Sequence, residues 1–329
     1  MIRGKKVVLI VVCLVIIAGG IALFMQRLAP EPPVRLVMGP FFGHYILSYP
    51  LENGLVKPQT EIEIEQSLNF NEHMMAGGGD IGEMSTAAFA IAYEKGIPLK
   101  TVCICFTHHG LQSGDGVAMV FTRKDSAINT PADLAGKKVG VPGLKTTTTT
   151  IFLEMLKREY GIGEDDLVLV DKALPTLPTL VDSGDIDATL MYGDISVQTY
   201  YSDKYKLVWN VDKAFKERYG DYTPASLIVV NTEFFEEHRD RAEAVLDDLK
   251  QSKSYGEEHL DEIASWYAAK FGGDADYYKT AYYNHYSVSL APITDENREA
   301  VMTVFEFAKA QGLITEVPDP ANAFVSIPQ

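Results

Sequence analysis

Basic residues, cysteines and tryptophans are all scarce in this sequence. Only 29 lysines and arginines stand against 45 aspartates and glutamates, a formal net charge of -16. A chain so balanced has no diffuse basic face for nucleic acid, so any anion site must be local. Three cysteines, Cys13, Cys103 and Cys105, give no disulfide framework. No Gly-x-Ser-x-Gly elbow, His-Glu-x-x-His pair, phosphate loop or paired Cys-x-x-Cys occurs, which removes support for a serine hydrolase, a zinc protease and an NTPase. What is present suffices for a large core. With 47% hydrophobic and 22% charged residues over 329 positions, the chain can fill one large domain or two lobes.

The N-terminus carries Arg3, Lys5 and Lys6 and then the uncharged apolar run Val7 to Met25. A run of that length behind positive charge predicts a signal anchor over residues 1–28, basic side inside, with no clean small-residue cleavage site after it. Cys13 lies mid-run behind Val12, a poor fit to lipoprotein processing. Residues 29–33 are Pro-rich and read as a stiff spacer, so the folded body is expected outside the cytoplasm, tethered to the cell membrane.

From Val34 the pattern alternates strand and helix through "LKTVCICF", and a second such series opens at "GKKVGVP". Repeated β-α units predict an α/β fold of two lobes, each a mostly parallel sheet flanked by helices. Residues 34–122 and 228–329 are expected in lobe 1 and 123–227 in lobe 2, with two chain crossings acting as a hinge. From about Thr232 to Gln311 the chain reads as almost wholly helical. "GGGDIG" and "DSGDIDA" look like a pseudo-repeat, each ending a helix and re-entering a strand.

Ligands of open α/β sheets sit beyond the carboxyl ends of strands, where helix N-termini point. The residues at those ends are Phe41, Phe42, His44 and Tyr45 after the first strand, Ser85 and Thr86 after the third, then Lys145, Thr146, Thr147 and Thr148, and Tyr192, Gly193 and Asp194. Five consecutive threonines, Thr146 to Thr150, precede a helix expected at 151–160. One hydroxyl suffices for an N-cap, so the surplus points to an anion cradle. Asp194 reads as an N-cap or, facing the cleft, as a partner for a ligand amine. Cys103 and Cys105 share one face of a strand and read as buried small hydrophobes. With His108 and His109 they also form the one set of residues suited to a metal-dependent enzyme.

The segments "GGGDIGEMSTAAFAIAYEKGIPLKTV", "VFTRKDSAINTPADLAGKKVGVPGLKTTTTT", "LVDSGDIDATLMYGD" and "LIVVNTEFFEEHRDRAEAVLDDL" resemble the nitrate/sulfonate/taurine substrate-binding proteins of ABC importers, a family that also includes thiamine-pyrimidine binders and a synthase. The resemblance implies a type II periplasmic-binding-protein fold that closes on a small organic anion and delivers it to permease and ATPase subunits, as a monomer without cofactor, metal or catalysis. It places the hydroxyl-rich anion loop on Lys145, Thr146, Thr147 and Thr148, and pocket residues on Ser85 and Thr86. The sequence departs from the family at Tyr192, Gly193 and Asp194, where a Trp-Glu-Pro-like stretch is common, and at the bulkier "PFFGHYILSYP". An aromatic-lined pocket suits a planar pyrimidine as the alternative ligand. A synthase-like metal enzyme using Cys103, Cys105, His108 and His109 is the alternative of another class, and an anchored sensor the third.

Overall fold

The computed structural model describes residues 31–114 and 116–325. The expected anchor, residues 1–28, and the start of the spacer lie outside the described residues. Among the described residues no helix is long and apolar enough to cross a membrane. The chain divides after Pro33, and the sheets and helices belong to the unit from Val34 onward.

Eleven strands are described in two sheets. The first contains β1 (Val34–Met38), β2 (Ile62–Gln66), β3 (Ile81–Ser85), β4 (Leu99–Thr107), β10 (Pro224–Asn231) and β11 (Ser287–Pro292), in the order β11-β4-β10-β3-β1-β2. The second contains β5 (Met119–Arg123), β6 (Lys138–Val141), β7 (Val168–Asp171), β8 (Ala188–Met191) and β9 (Tyr205–Asn210), in the order β7-β6-β8-β5-β9. Each sheet with its flanking helices forms one lobe. The α/β, two-sheet class expected from the sequence is the observed one.

The pseudo-repeat is visible in the pairing. In each lobe the first strand (β1 or β6) sits between the second (β2 or β7) and the third (β3 or β8), both parallel to it. The third then pairs antiparallel with a strand that has crossed from the other lobe, β10 in one and β5 in the other. The segments "GGGDIG" and "DSGDIDA" lead into the equivalent strands β3 and β8. Four strands of each sheet run the same way, as expected, and the crossing strands β10 and β5 run against them.

Three details differ from expectation. All of β5 belongs to the second sheet and all of β10 to the first, so the passages between sheets fall at 108–118 and 220–223 rather than at 122 and 227. The C-terminal stretch is not wholly helical, since β11 pairs with β4 along the sheet edge. The threonine helix begins at Thr147, not 151, so four of the five threonines lie inside it.

The helices, numbered in chain order, are α1 (Phe42–Glu52), α2 (Phe70–Met75), α3 (Thr86–Glu94), α4 (Thr147–Tyr160), α5 (Leu177–Ser183), α6 (Gly193–Tyr200), α7 (Val211–Tyr219), α8 (Thr232–Glu237), α9 (Arg239–Glu258), α10 (Leu260–Phe271), α11 (Ala275–Asn284), α12 (Asp295–Ala310) and α13 (Pro320–Ala323). Alternation along the strands fills both faces of each sheet. Val34, Leu36 and Met38 of β1 enter one core and Val37 another, while Ala118 and Val120 in and before β5 face away from Met119 and Phe121. Helix α12 serves both lobes. Its Val301, Phe305 and Ala308 pack into the core that holds Phe89 of α3, and Val304 and Phe307 pack with Phe152 of α4 and Phe215 of α7.

Candidate functional site

Four strands of the two sheets each hand over to a helix, and the starts of these helices meet in two pairs. In the first lobe β1 leads through Gly39, Pro40 and Phe41 into α1, and β3 runs directly into α3. In the second, β6 leads through 142–146 into α4, and β8 through Tyr192 into α6. Unpaired N–H groups and the helix dipoles make such ends attractive to negative charge.

Two of these ends meet across the lobes. The Ala87 N–H, in the first turn of α3, donates to Thr147 Oγ1, in the first turn of α4, at 3.1 Å. Around that bond the hydroxyls are already shared out. Thr146 caps α4 by accepting from the Thr149 N–H at 3.3 Å and donates to Gly143 O at 3.1 Å. Ser85 caps α3 by accepting from the Ala88 N–H, and Thr86 Oγ1 donates to Pro224 O. Thr147, Thr148, Thr149 and Thr150 are all buried, and the Thr150 hydroxyl has no hydrogen-bond partner among the described residues. One threonine caps and one bridges, so a single cap does not account for the run. Lys145 is exposed in the turn before the helix.

The other two ends meet through a carboxylate. Tyr192, not Asp194, is the N-cap of α6, because its backbone is extended while Gly193 already lies in the helix. Asp194, one residue further on, accepts from the Tyr286 hydroxyl at 2.7 Å, and its carboxylate lies beside the Phe42 backbone at the start of α1. Burial pushes its carboxyl up to about 6 against the opposing pull of these contacts. Tyr192 is pushed up to about 12, by burial first and the charge of Glu83 second.

Beside them lies a pair that the sequence reading missed. His44 Nε2 contacts Glu83 Oε2, its Nδ1 faces Phe41 O at 3.3 Å, and the Gly39 N–H donates to the same Glu83 oxygen at 3.3 Å. Burial alone would raise Glu83, but the adjacent imidazole outweighs it and holds the carboxyl below its usual range. The available signal was Glu83 itself, a lone carboxylate inside the otherwise uncharged strand "IGEMS". Phe42 and Tyr45 turn into the helical layer, Phe42 against Tyr267, Tyr278 and Tyr282, and Tyr45 against Trp266, Tyr267 and Phe271. Phe41 remains partly exposed, its ring 5.6 Å from that of His44.

The cysteine–histidine segment does not assemble a metal site. Cys103 and Cys105 do share a face of β4, but it is the core face, and burial pushes both thiols up. His108 Nδ1 is 2.8 Å from Asp212 Oδ1, and the His109 ring packs on Tyr222. Strand geometry turns the thiols inward while the loop after β4 carries the histidines elsewhere. Among the described residues no group of three or more His, Cys, Asp or Glu is arranged to hold a metal ion.

Among known proteins, the chain is similar to the periplasmic aliphatic sulphonate binding protein of Escherichia coli, with a TM-score of 0.74 and 14% identity over 91% of this chain and 94% of that one. It is also similar to the alkanesulfonate-binding protein of Xanthomonas axonopodis pv. citri bound to MOPS, with a TM-score of 0.71 and 15% identity over 91% and 100%. At such identities these likenesses establish the periplasmic-binding-protein fold. A curated relative, 4,5-dihydroxyphthalate decarboxylase of Comamonas testosteroni, is 30% identical over 88 residues, so the match spans 27% of this chain and only 26% of that one. The expected nitrate/sulfonate/taurine resemblance is thus met at the level of fold, while the family itself is given by a model that spans most of the chain. Matching the Menaquinone biosynthesis family over residues 39–310, the chain belongs to that family.

Proposed function

We propose that this protein binds a small organic anion between its two lobes and hands it to an ABC permease. The observation that carries this reading is the meeting of α3 and α4 at Thr147. Two positive helix ends approach each other in a chain of net charge -16, with Ser85, Thr86, Thr146 and Thr147 at their starts. A sulfonate or related oxoanion suits that setting, since its oxygens accept from hydroxyls and backbone N–H groups without an arginine. The likeness of fold to sulfonate-binding proteins, one of them holding MOPS, supports the same ligand class. A carboxylate at Asp194, if it reaches the ligand, would favour an amino-sulfonate over a plain alkyl sulfonate. The apolar run Val7 to Met25 would tether the binding unit to the outer face of the membrane beside its permease.

Calorimetry on the full-length chain in detergent tests the reading with taurine, an alkanesulfonate and a pyrimidine. Each lost hydrogen bond to a charged group costs roughly 1.5–3 kcal/mol, so Thr146→Ala or Thr147→Ala is expected to weaken sulfonate binding at least about tenfold. Unchanged affinity in both variants would refute the cradle. A pyrimidine that binds while sulfonates do not would give the aromatic residues the leading part.

One observation favours a second reading. The His44–Glu83 pair is buried beside the same cleft, and such a pair can move a proton on a bound ligand. Mass spectrometry of the ligand after incubation distinguishes the two, because a binding protein returns it unchanged.

A further inference from the structure

The lobes touch through a contact that an anion cradle does not need. Asp194 belongs to α6 of the second lobe, yet its carboxylate is engaged by the first: Tyr286 OH donates to it at 2.7 Å, and the Phe42 backbone at the start of α1 lies beside it. Gly43, the next residue of α1, makes that approach feasible. A Cβ there would lie 2.7 Å from the Phe106 ring and 2.8 Å from the Tyr286 ring, so any other residue would push the Tyr286 hydroxyl away.

We infer that Asp194 is an interlobe latch, in which the chain's own carboxylate ties α6 to the start of α1 and to Tyr286 and holds the cleft shut. The contact is autoinhibitory, because a ligand gains entry only when Asp194 lets go. It is also linked to protons. Burial raises the Asp194 carboxyl to about 6 in the closed arrangement, above the ordinary aspartate value that it regains in water. A carboxyl raised in one state favours that state when protonated. Closure is therefore strongest below about pH 4, weakens as pH rises from there to about 6 with the open-to-closed ratio growing at most about tenfold per pH unit, and then levels off, so it is weaker at pH 8 than at pH 5. The groups that face Asp194 are His44 from α1, Tyr267 from α10, Tyr278 from α11 and Tyr286. Burial raises all three tyrosines, which stay neutral across this window.

Pulsed electron paramagnetic resonance on the full-length chain in detergent reads the opening directly. Nitroxides on Leu68→Cys and Leu144→Cys, exposed positions just beyond β2 and β6, report the distance across the cleft in a Cys13→Ser background. The parent chain is expected to show a short distance at pH 5 and to gain a longer population at pH 8. Asp194→Asn, neutral throughout yet still able to accept from the Tyr286 hydroxyl, should stay short at both pH values. Asp194→Ala should show the longer population at both, and Tyr286→Phe should lie between. The latch is refuted if Asp194→Ala matches the parent at both pH values, if Asp194→Asn opens like Asp194→Ala, or if Asp194→Asn keeps the pH response, which would assign the proton to His44. No ligand enters this measurement, so its failure and that of the anion cradle are separately visible.

Discussion

At the scale of single residues, the most consequential side chain outside the cleft is Asp212. It sits in the first turn of α7 and reaches both passages between the sheets. Its Oδ1 lies 2.8 Å from His108 Nδ1 and accepts from Thr223 Oγ1 at 2.7 Å, while Oδ2 accepts from the N–H groups of Val117 and Ala118 at 2.8 and 2.7 Å. Burial opposes ionisation, but the His108 imidazole and these bonds prevail and hold the carboxyl below its usual range. Asp212→Ala strands a buried imidazole and two backbone donors, and is expected to cost roughly 3–5 kcal/mol in urea unfolding at neutral pH. The sign in acid follows from the depressed value. The contribution is present above about pH 3.9 and fades as pH falls through the folded value, so the parent loses stability on acidification more steeply than the variant. Neither Asp212 nor Glu83 was legible as a site residue, because a carboxylate gains such a role from partners 39 to 104 positions away, which no local pattern announces. The threonine run was legible, since five hydroxyls at one helix start exceed what a cap needs.

At the scale of elements, α12 is the helix whose sequence says least about its position. Residues 301, 305 and 308 face one core while 304 and 307 face the other, a division that looks like an ordinary apolar stripe until two lobes are present to receive it. Truncating either phenylalanine costs about 3–5 kcal/mol, and the damage should be local. Phe305→Ala is expected to speed hydrogen exchange in β3 and α3, and Phe307→Ala in α4 and α7. If both variants loosen the same segments, α12 is not shared in the way its packing indicates. Alternating strands and helices were readable because sheets buried on both faces leave continuous apolar runs. Strand β11 was not. It lies between two helices, its pairing with β4 shifts register after Val288, and Leu290 adopts a left-handed φ of 50°, so no period-2 signal survives.

At the scale of the whole molecule, the lobes are joined by the two passages and by α12, which packs into both. Closure on a ligand is expected to rotate one lobe about the Asp212 knot, with α12 repacking along its shared faces. Small-angle scattering of the full-length chain with saturating sulfonate should show compaction at pH 8, where the latch is weakest, and little change at pH 5. An identical response at both pH values would separate ligand closure from Asp194. The domain order also bears on how this chain is made. Every strand of the second sheet lies between residues 119 and 210, whereas the first sheet acquires β10 and β11 only after residue 223. As the chain emerges from a ribosome or translocation channel, the middle lobe can complete its hydrogen-bonded sheet while β3 and β4, though synthesised earlier, still wait for the strand that joins them. The second of those waiting strands carries the apolar stretch "VCICF", and the interval before β10 arrives is when the nascent chain most needs shielding from aggregation.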